Sequence, residues 1–226
     1  MIQPRIGTRK LQYLLALVDI NIGRDHLFNL LRTRRLLVPS KRAYHKTTHS
    51  HHRFRCHPNL IKSGFKAEKP NQLWVADITY LPTQTGESYL SLITDAYSRK
   101  IVGYQVDDNM RTQSVKKAFT HALKHKSTDE KLVHHSDRGM QYCSQEYQNI
   151  HRKHDVQCSM TDGYDCYQNA LAERVNGILK NEYLVHKPRD LEEARKMVAE
   201  SVAIYNKRRP HLALKYKTPD EVHQAF

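Results

Sequence analysis

QLWVADITYL, residues 72–81, decides the fold: it reads as a buried strand with one acid, Asp77, in the middle of it. Two further strands follow, SYLSLITDAY (88–97) and KIVGYQV (100–106), joined through Tyr97-Ser98-Arg99 in a hairpin-like turn. A helix is expected from Thr112 to Lys126, with Val115, Phe119 and Leu123 on one face. Then come a short strand KLVHHS (131–136), a helix over 146–153, a strand VQCSM (156–160) and two long helices, about 168–183 and 190–207. Three strands followed by alternating helices and strands is an α/β order with a mixed, five-stranded sheet.

Upstream of this body the chain changes character. Leu11, Leu14, Leu15 and Val18 recur at helical spacing, Asn21-Ile22-Gly23 breaks the pattern, and a second helical stretch runs from Arg24 to about Leu36. Residues 1–37 therefore read as two short helices, either a helix-turn-helix unit or another helical hairpin. Residues 38–70 mix basic residues with five His and few aliphatics, and read as a basic linker or arm ahead of the body, 71–226. Residues 1–70 hold 15 Lys and Arg against three acids, whereas 71–226 hold 22 against 20, so nearly all of the formal +14 lies in the first third. Such a segment on a near-neutral body points to a polyanion, most often nucleic acid; the bland alternative is a solvated arm.

No apolar run reaches membrane-spanning length, and no apolar segment with a cleavage site opens the chain, so a cytoplasmic protein is expected. The four cysteines (Cys56, Cys143, Cys158, Cys166) form no C-x-x-C pair and read as reduced bystanders.

Three acids sit where an acid is a poor structural choice. Asp77 interrupts a buried strand, where an unpaired charge costs several kcal/mol. Asp137 follows a strand at its carboxyl end, where α/β proteins place their sites. Glu173 lies in the helix QNALAERVNGILKNEYL opposite the apolar stripe of Leu171, Val175, Ile178 and Leu179, and Lys180, two turns on, points the same way. Asp95 reads as a local cap or an alternative metal ligand, Asp107-Asp108 as solvated, and Lys207-Arg208-Arg209 as a helix end or a DNA contact. His134 reads as hydrogen-bonded structure, and Trp74 as core.

The surroundings of the acids carry the weight that spacing alone does not. DITYLPT, LITDAYSRKIVGY, HHSDRGMQY, YQNALAERVNGILKNEY and YNKRRPHLALKYKTPDEV occur in that order. Together they resemble the bacterial insertion-sequence transposases related to retroviral integrases, specifically the second-reading-frame product of the insertion sequence three family. The resemblance extends to the opening PRIGTRKLQYLL and to HHRFRCHPNLIK. It implies a ribonuclease-H-like core in which Asp77, Asp137 and Glu173 hold two Mg²⁺ or Mn²⁺ ions, and hard divalent cations do take carboxylate oxygens. It also implies DNA strand cleavage and strand transfer without a covalent enzyme intermediate, with Lys180 contacting the phosphate near the cut.

Further DNA contacts are expected from Arg138, His135 and Asn169 near the acids, and from Arg34, Arg35, Lys41, Arg42, Arg53 and Arg55 in the basic segment. The partners implied are element ends and target DNA, further copies of the chain, and the upstream reading-frame product, whose coiled-coil heptads are not visible here. The rival expectation is a catalytically silent DNA-binding or regulatory fragment.

Overall fold

The computed structural model describes residues 5–39, 56–126, 131–162 and 169–226. Lys41, Arg42, Arg53, Arg55 and Cys166 lie outside the described residues. Helices α1 (Thr8–Ala16) and α2 (Arg24–Thr33) come first, as the broken apolar periodicity predicts. The sheet is built from β1 (Leu73–Thr83), β2 (Gly86–Asp95), β3 (Ile101–Asp107), β4 (Val133–Ser136) and β5 (Gln157–Met160). Its order is β3-β2-β1-β4-β5: β1, β2 and β3 form an antiparallel meander, and β4 and β5 add in parallel on the far side of β1. This is the mixed five-stranded sheet expected from the sequence.

Side-chain alternation along β1 divides two cores. Trp74 and Ala76 face α3 (Thr112–Lys124), α4 (Met140–Cys143) and α5 (Gln145–Lys153), where Phe119, Tyr147 and Met160 are fully buried. Full burial of side chains this large stabilises by about 1.5–3 kcal/mol each. Leu73, Val75 and Leu81 face the other way, toward α6 (Ala170–Ile178) and α7 (Leu191–Arg208). Asp77 and Thr79 fall in this second series, so the strand's pleat places an acid where its neighbours are apolar.

Close approach of α3 to the sheet depends on Gly103 in β3, where a Cβ would collide with the Ala118 carbonyl oxygen and stand 2.8 Å from the Ala122 Cβ. Local capping fixes the tail. Asp190 accepts from the Glu193 amide at 2.9 Å to start α7, and Thr218 forms a capping box with Glu221 at the start of α8 (Pro219–His223). Among the described residues no helix is long and apolar enough to cross a membrane.

Two expectations need correction. Asp107 is not solvated: it is buried and bonded by Ser114 Oγ at 2.8 Å, Gln105 Nε2 at 2.9 Å and Arg195 Nη2 at 3.1 Å. At the end of β3 it is covered by Ser114 of α3 and Arg195 of α7, while Asp108 stays exposed. Arg209 does not serve as an exposed helix-end cation either. The chain has left α7 there, and the guanidinium is 4% exposed against Glu182, leaving Lys207 and Arg208 in solvent.

Candidate active site

The parallel pairing of β1 with β4 sets the first two acids side by side. Val75 pairs with His135 at the end of the parallel ladder, Asp77 and Asp137 each follow two residues later, and the Asp137 charge is near enough to raise the Asp77 carboxyl. Adjacent strands are about 4.8 Å apart. β4 ends at Ser136 while β1 continues to Thr83, which leaves Asp137 at the lip of the crevice that opens where the parallel pairing stops. Such strand ends are where open α/β sheets place ligands. Asp137 is anchored locally: its Oδ1 accepts the Gly139 amide at 2.9 Å.

Helix α6 brings a polar face to β1. Asn169, Glu173, Asn176 and Lys180 follow one another at spacings of four, three and four, one face of a helix. Asn169 Nδ2 donates to the Ala76 carbonyl at 2.9 Å, Asn176 Nδ2 to Asp77 Oδ2 at 2.8 Å, and Lys180 Nζ to Thr79 Oγ1 at 3.2 Å. Glu173, between the two asparagines, keeps its carboxylate exposed. The helix face opposite the apolar stripe, which carries Glu173 and Lys180, thus runs along the acid-bearing strand. Asn176 and Thr79 were not singled out from the sequence. The polar Asn between Val175 and Gly177, completing the 169-173-176-180 series, is the signal that would have found the first.

The electrostatics of the acids are mutual. Burial, reinforced by the charges of Asp137 and Glu173 and opposed by the Asn176 hydrogen bond, pushes the Asp77 carboxyl up to about 7. Partial burial and then the Asp137 charge raise Glu173 as well. Among the described residues no three acid, His or Cys side chains already converge on one point. The donor chemistry nevertheless fits a hard divalent cation: the Asp137 charge raises both Asp77 and Glu173, and no cation pairs with Asp77 among the described residues.

The remaining candidates are placed as follows. Arg138 donates through Nε to the Thr161 carbonyl at 2.7 Å, at the rim of the crevice. His135 is fully buried, 2.8 Å from Ser159 Oγ, and Asn169 is 5% exposed on the Ala76 carbonyl; both brace the strands rather than present a surface. His134 is core as well, 3.1 Å from Tyr147 Oη and packed on Phe119. Asp95 is a cap: its two oxygens accept the Asn71 amide at 2.7 Å and the Ser98 amide at 2.7 Å. Trp74 is fully buried in the core. Arg34 and Arg35 stand exposed after α2. Cys56, Cys143 and Cys158 carry no disulfide, and burial pushes the Cys143 thiol up to about 12.

A mixed five-stranded sheet of this order flanked by helices is a ribonuclease-H-like core. Two integrase core domain models match the chain, over residues 67–166 and 154–219. The HTLV-2 integrase catalytic core in complex with magnesium superposes with a TM-score of 0.57 at 20% identity, over 70% of this chain and 99% of that one. A simian T-cell lymphotropic virus intasome, in complex with a PP2A regulatory subunit, gives 0.60 at 18% identity, over 94% of this chain and 70% of that one. In sequence, the chain is 40% identical over 210 residues to an uncharacterized 31 kDa protein of insertion element IS600 from Shigella sonnei, covering 92% of this chain and 77% of that protein. It is 36% identical to the transposase for IS904 of Lactococcus lactis and 34% identical to the transposase InsF for IS3A of Escherichia coli. These matches cover 73% and 67% of this chain, and the chain spans 66% and 53% of those two proteins' lengths. The chain belongs to the bacterial insertion-sequence transposases that carry an integrase core domain.

Proposed function

We propose that this chain is the catalytic portion of a transposase that cleaves DNA strands at the ends of an insertion sequence and transfers them to a target. The observation that supports this reading is the seam itself: Asp77 under the charges of Asp137 and Glu173, and a helix face whose Asn176 and Lys180 bond to Asp77 and Thr79 of the same strand. Structural convenience does not explain an acid at position 77, whose charge is opposed by burial and by two further acids.

Asp77, Asp137 and Glu173 are the residues that would hold divalent cations, two Mg²⁺ or Mn²⁺ in this reading. When bound, such ions supply positive charge at the attacking and leaving oxygens of an in-line displacement at phosphorus. The chain's own residues do the rest. Asn176 fixes the rotamer of Asp77, the Gly139 amide fixes that of Asp137, and exposed Glu173 is placed to swing toward both. Lys180, half-buried beside Thr79, is a point charge for a non-bridging phosphate oxygen next to the acids. No side chain needs to form a bond to DNA.

Arg138 at the rim, together with Arg34, Arg35, Lys41, Arg42, Arg53 and Arg55, would grip phosphates without reading sequence. Further copies of the chain on paired ends, and the upstream reading-frame product, are the partners this reading expects, in the bacterial cytoplasm. A strand-transfer assay tests it. A labelled oligonucleotide ending in the element's terminal 3′-hydroxyl, incubated with a target plasmid and Mn²⁺, is expected to become joined to the plasmid. Replacing that hydroxyl by hydrogen should abolish joining. Joining that persists without it would refute the proposed chemistry.

A further inference from the structure

The helix that carries Glu173 and Lys180 does not end as an α-helix. Leu179–Tyr183 winds as a π-turn, closed by the Leu184 amide on the Leu179 carbonyl at 2.9 Å. Single π-turns inside helices are rare, and they recur at functional sites. This one carries two side chains with opposite errands. Lys180 reaches back to Thr79, two residues from Asp77, while Glu182 is held by Lys10 and Arg209.

Two distant segments meet on the Glu182 carboxylate. Arg209 grips it bidentately, Nη2 to Oε1 at 2.7 Å and Nε to Oε2 at 2.8 Å, and its third nitrogen, Nη1, lies 3.0 Å from His211 Nε2. Lys10 of α1 donates to both oxygens, at 2.9 and 3.1 Å. Tyr13, one turn along α1, stacks on Tyr216 with ring centroids 4.6 Å apart. The tail stretch RRPHLALKY and the first helix of the basic segment are therefore both tied to the turn that holds Lys180.

The charges make these ties separable. Losing Glu182 would leave two mostly buried cations facing each other. Losing Lys10 leaves the Arg209–Glu182 pair balanced and removes one tie on α1, the Tyr13–Tyr216 stack remaining.

We propose that Glu182 is a positioning residue: through Lys10 and Arg209 it sets the π-turn that aims Lys180 at the Asp77 crevice, and so links docking of the N-terminal helix to the position of that lysine. The proposal rests on the reading of Lys180 as a phosphate contact, but its test does not require the chain to cut DNA.

Acylation of lysines by a water-soluble active ester, followed by mass spectrometry on the full chain without metal or DNA, reads how open Lys180 is. Lys196, whose side chain is 71% exposed, serves as reference. Lys10→Met should raise the Lys180 rate relative to Lys196 roughly three- to tenfold, and Lys10→Arg should restore it. A Tyr13→Ala variant, which loosens α1 without touching Glu182, should shift Lys180 in the same direction and decides the matter if Lys10→Met does not fold. In an active preparation, Lys10→Met should lower kcat with little change in KM. Lys180 reactivity unchanged in both loosened variants, or raised equally by Lys10→Arg, would overturn the proposal.

Discussion

Replacing Asp77 by Asn should make the protein more stable while removing its chemistry. The Asp77 carboxyl sits at about 7 in the fold against an ordinary 3.8, for burial first and the Asp137 and Glu173 charges second. A raised acid is a stability loss that grows with pH. Below the ordinary value both states are protonated; between about 4 and 7 the unfolded chain gives up a proton the fold retains, and above about 7 the loss is constant. At about 1.4 kcal/mol per unit, the loss is about 1.5 kcal/mol near pH 5 and about 4 kcal/mol near pH 8. The second figure is a ceiling, because the carboxylate is only partly removed from solvent. Asparagine keeps the oxygen that accepts from Asn176 and brings an amide that can donate to Asn176 Oδ1, a buried atom without a partner. Half the ceiling, about 2 kcal/mol, raises the Tm of a chain this size by about 4–8 °C. Thermal unfolding in chelator near pH 5 and near pH 8 should show Asp77→Asn melting above wild type, with a gap that widens with pH. Added Mg²⁺ should then raise the wild type more than the variant. A wild type at least as stable as Asp77→Asn near pH 8 in chelator would refute the reasoning.

Three further outcomes are expected. Burial holds His151 down to about 4 and, with the Arg209 charge, His211 down to about 3, so each is neutral in the fold and titrates in the unfolded chain. Folded values below about 6.5 mean that stability is full above that pH and falls below it, by about 2 kcal/mol per histidine near pH 5; His151→Leu should move the acid-unfolding midpoint, followed by circular dichroism, to lower pH. Gly103→Ala drives a Cβ into the Ala118 carbonyl and toward Ala122, and should cost at least about 1–3 kcal/mol in urea unfolding; a cost near zero would mean that α3 rides freely on β3. Arg34→Gln with Arg35→Gln should flatten the slope of log DNA affinity against log salt by about 1–2, without changing sequence preference; an unchanged slope would remove those two arginines from the interface.

Much of this architecture was legible because local signals agreed. QLWVADITYL became β1, the Asn21-Ile22-Gly23 break separated α1 from α2, and the helix read from about 190 to 207 became α7. Asp77 stood out because an acid conflicts with a buried strand, whereas Asp137 and Glu173 were singled out by the motifs around them, HHSDRGMQY and YQNALAERVNGILKNEY. What escaped depends on contacts far apart in sequence. Asp107 looked solvated because Arg195, 88 residues away, is invisible from its own loop. Arg209 looked like a helix-end cation because Glu182, 27 residues earlier, faces it only after a π-turn that no 3.6-residue periodicity predicts. His135 and Asn169 looked available to DNA because proximity in sequence to an acid says nothing about which way a strand or helix turns its side chains.

The central claim is that three carboxylates at the β1–β4 crevice work with divalent cations on DNA. The most direct measurement is Mg²⁺- or Mn²⁺-dependent nicking of a labelled duplex carrying the element's own ends. Wild type is compared with Glu173→Gln, which removes a charge at an exposed position with little change of shape, and the upstream reading-frame product is supplied in parallel. The account predicts metal-dependent nicks at the ends with wild type, none with the variant, and equal salt-sensitive binding of DNA by both. Nicking that survives in Glu173→Gln, or that proceeds in excess chelator, would contradict it.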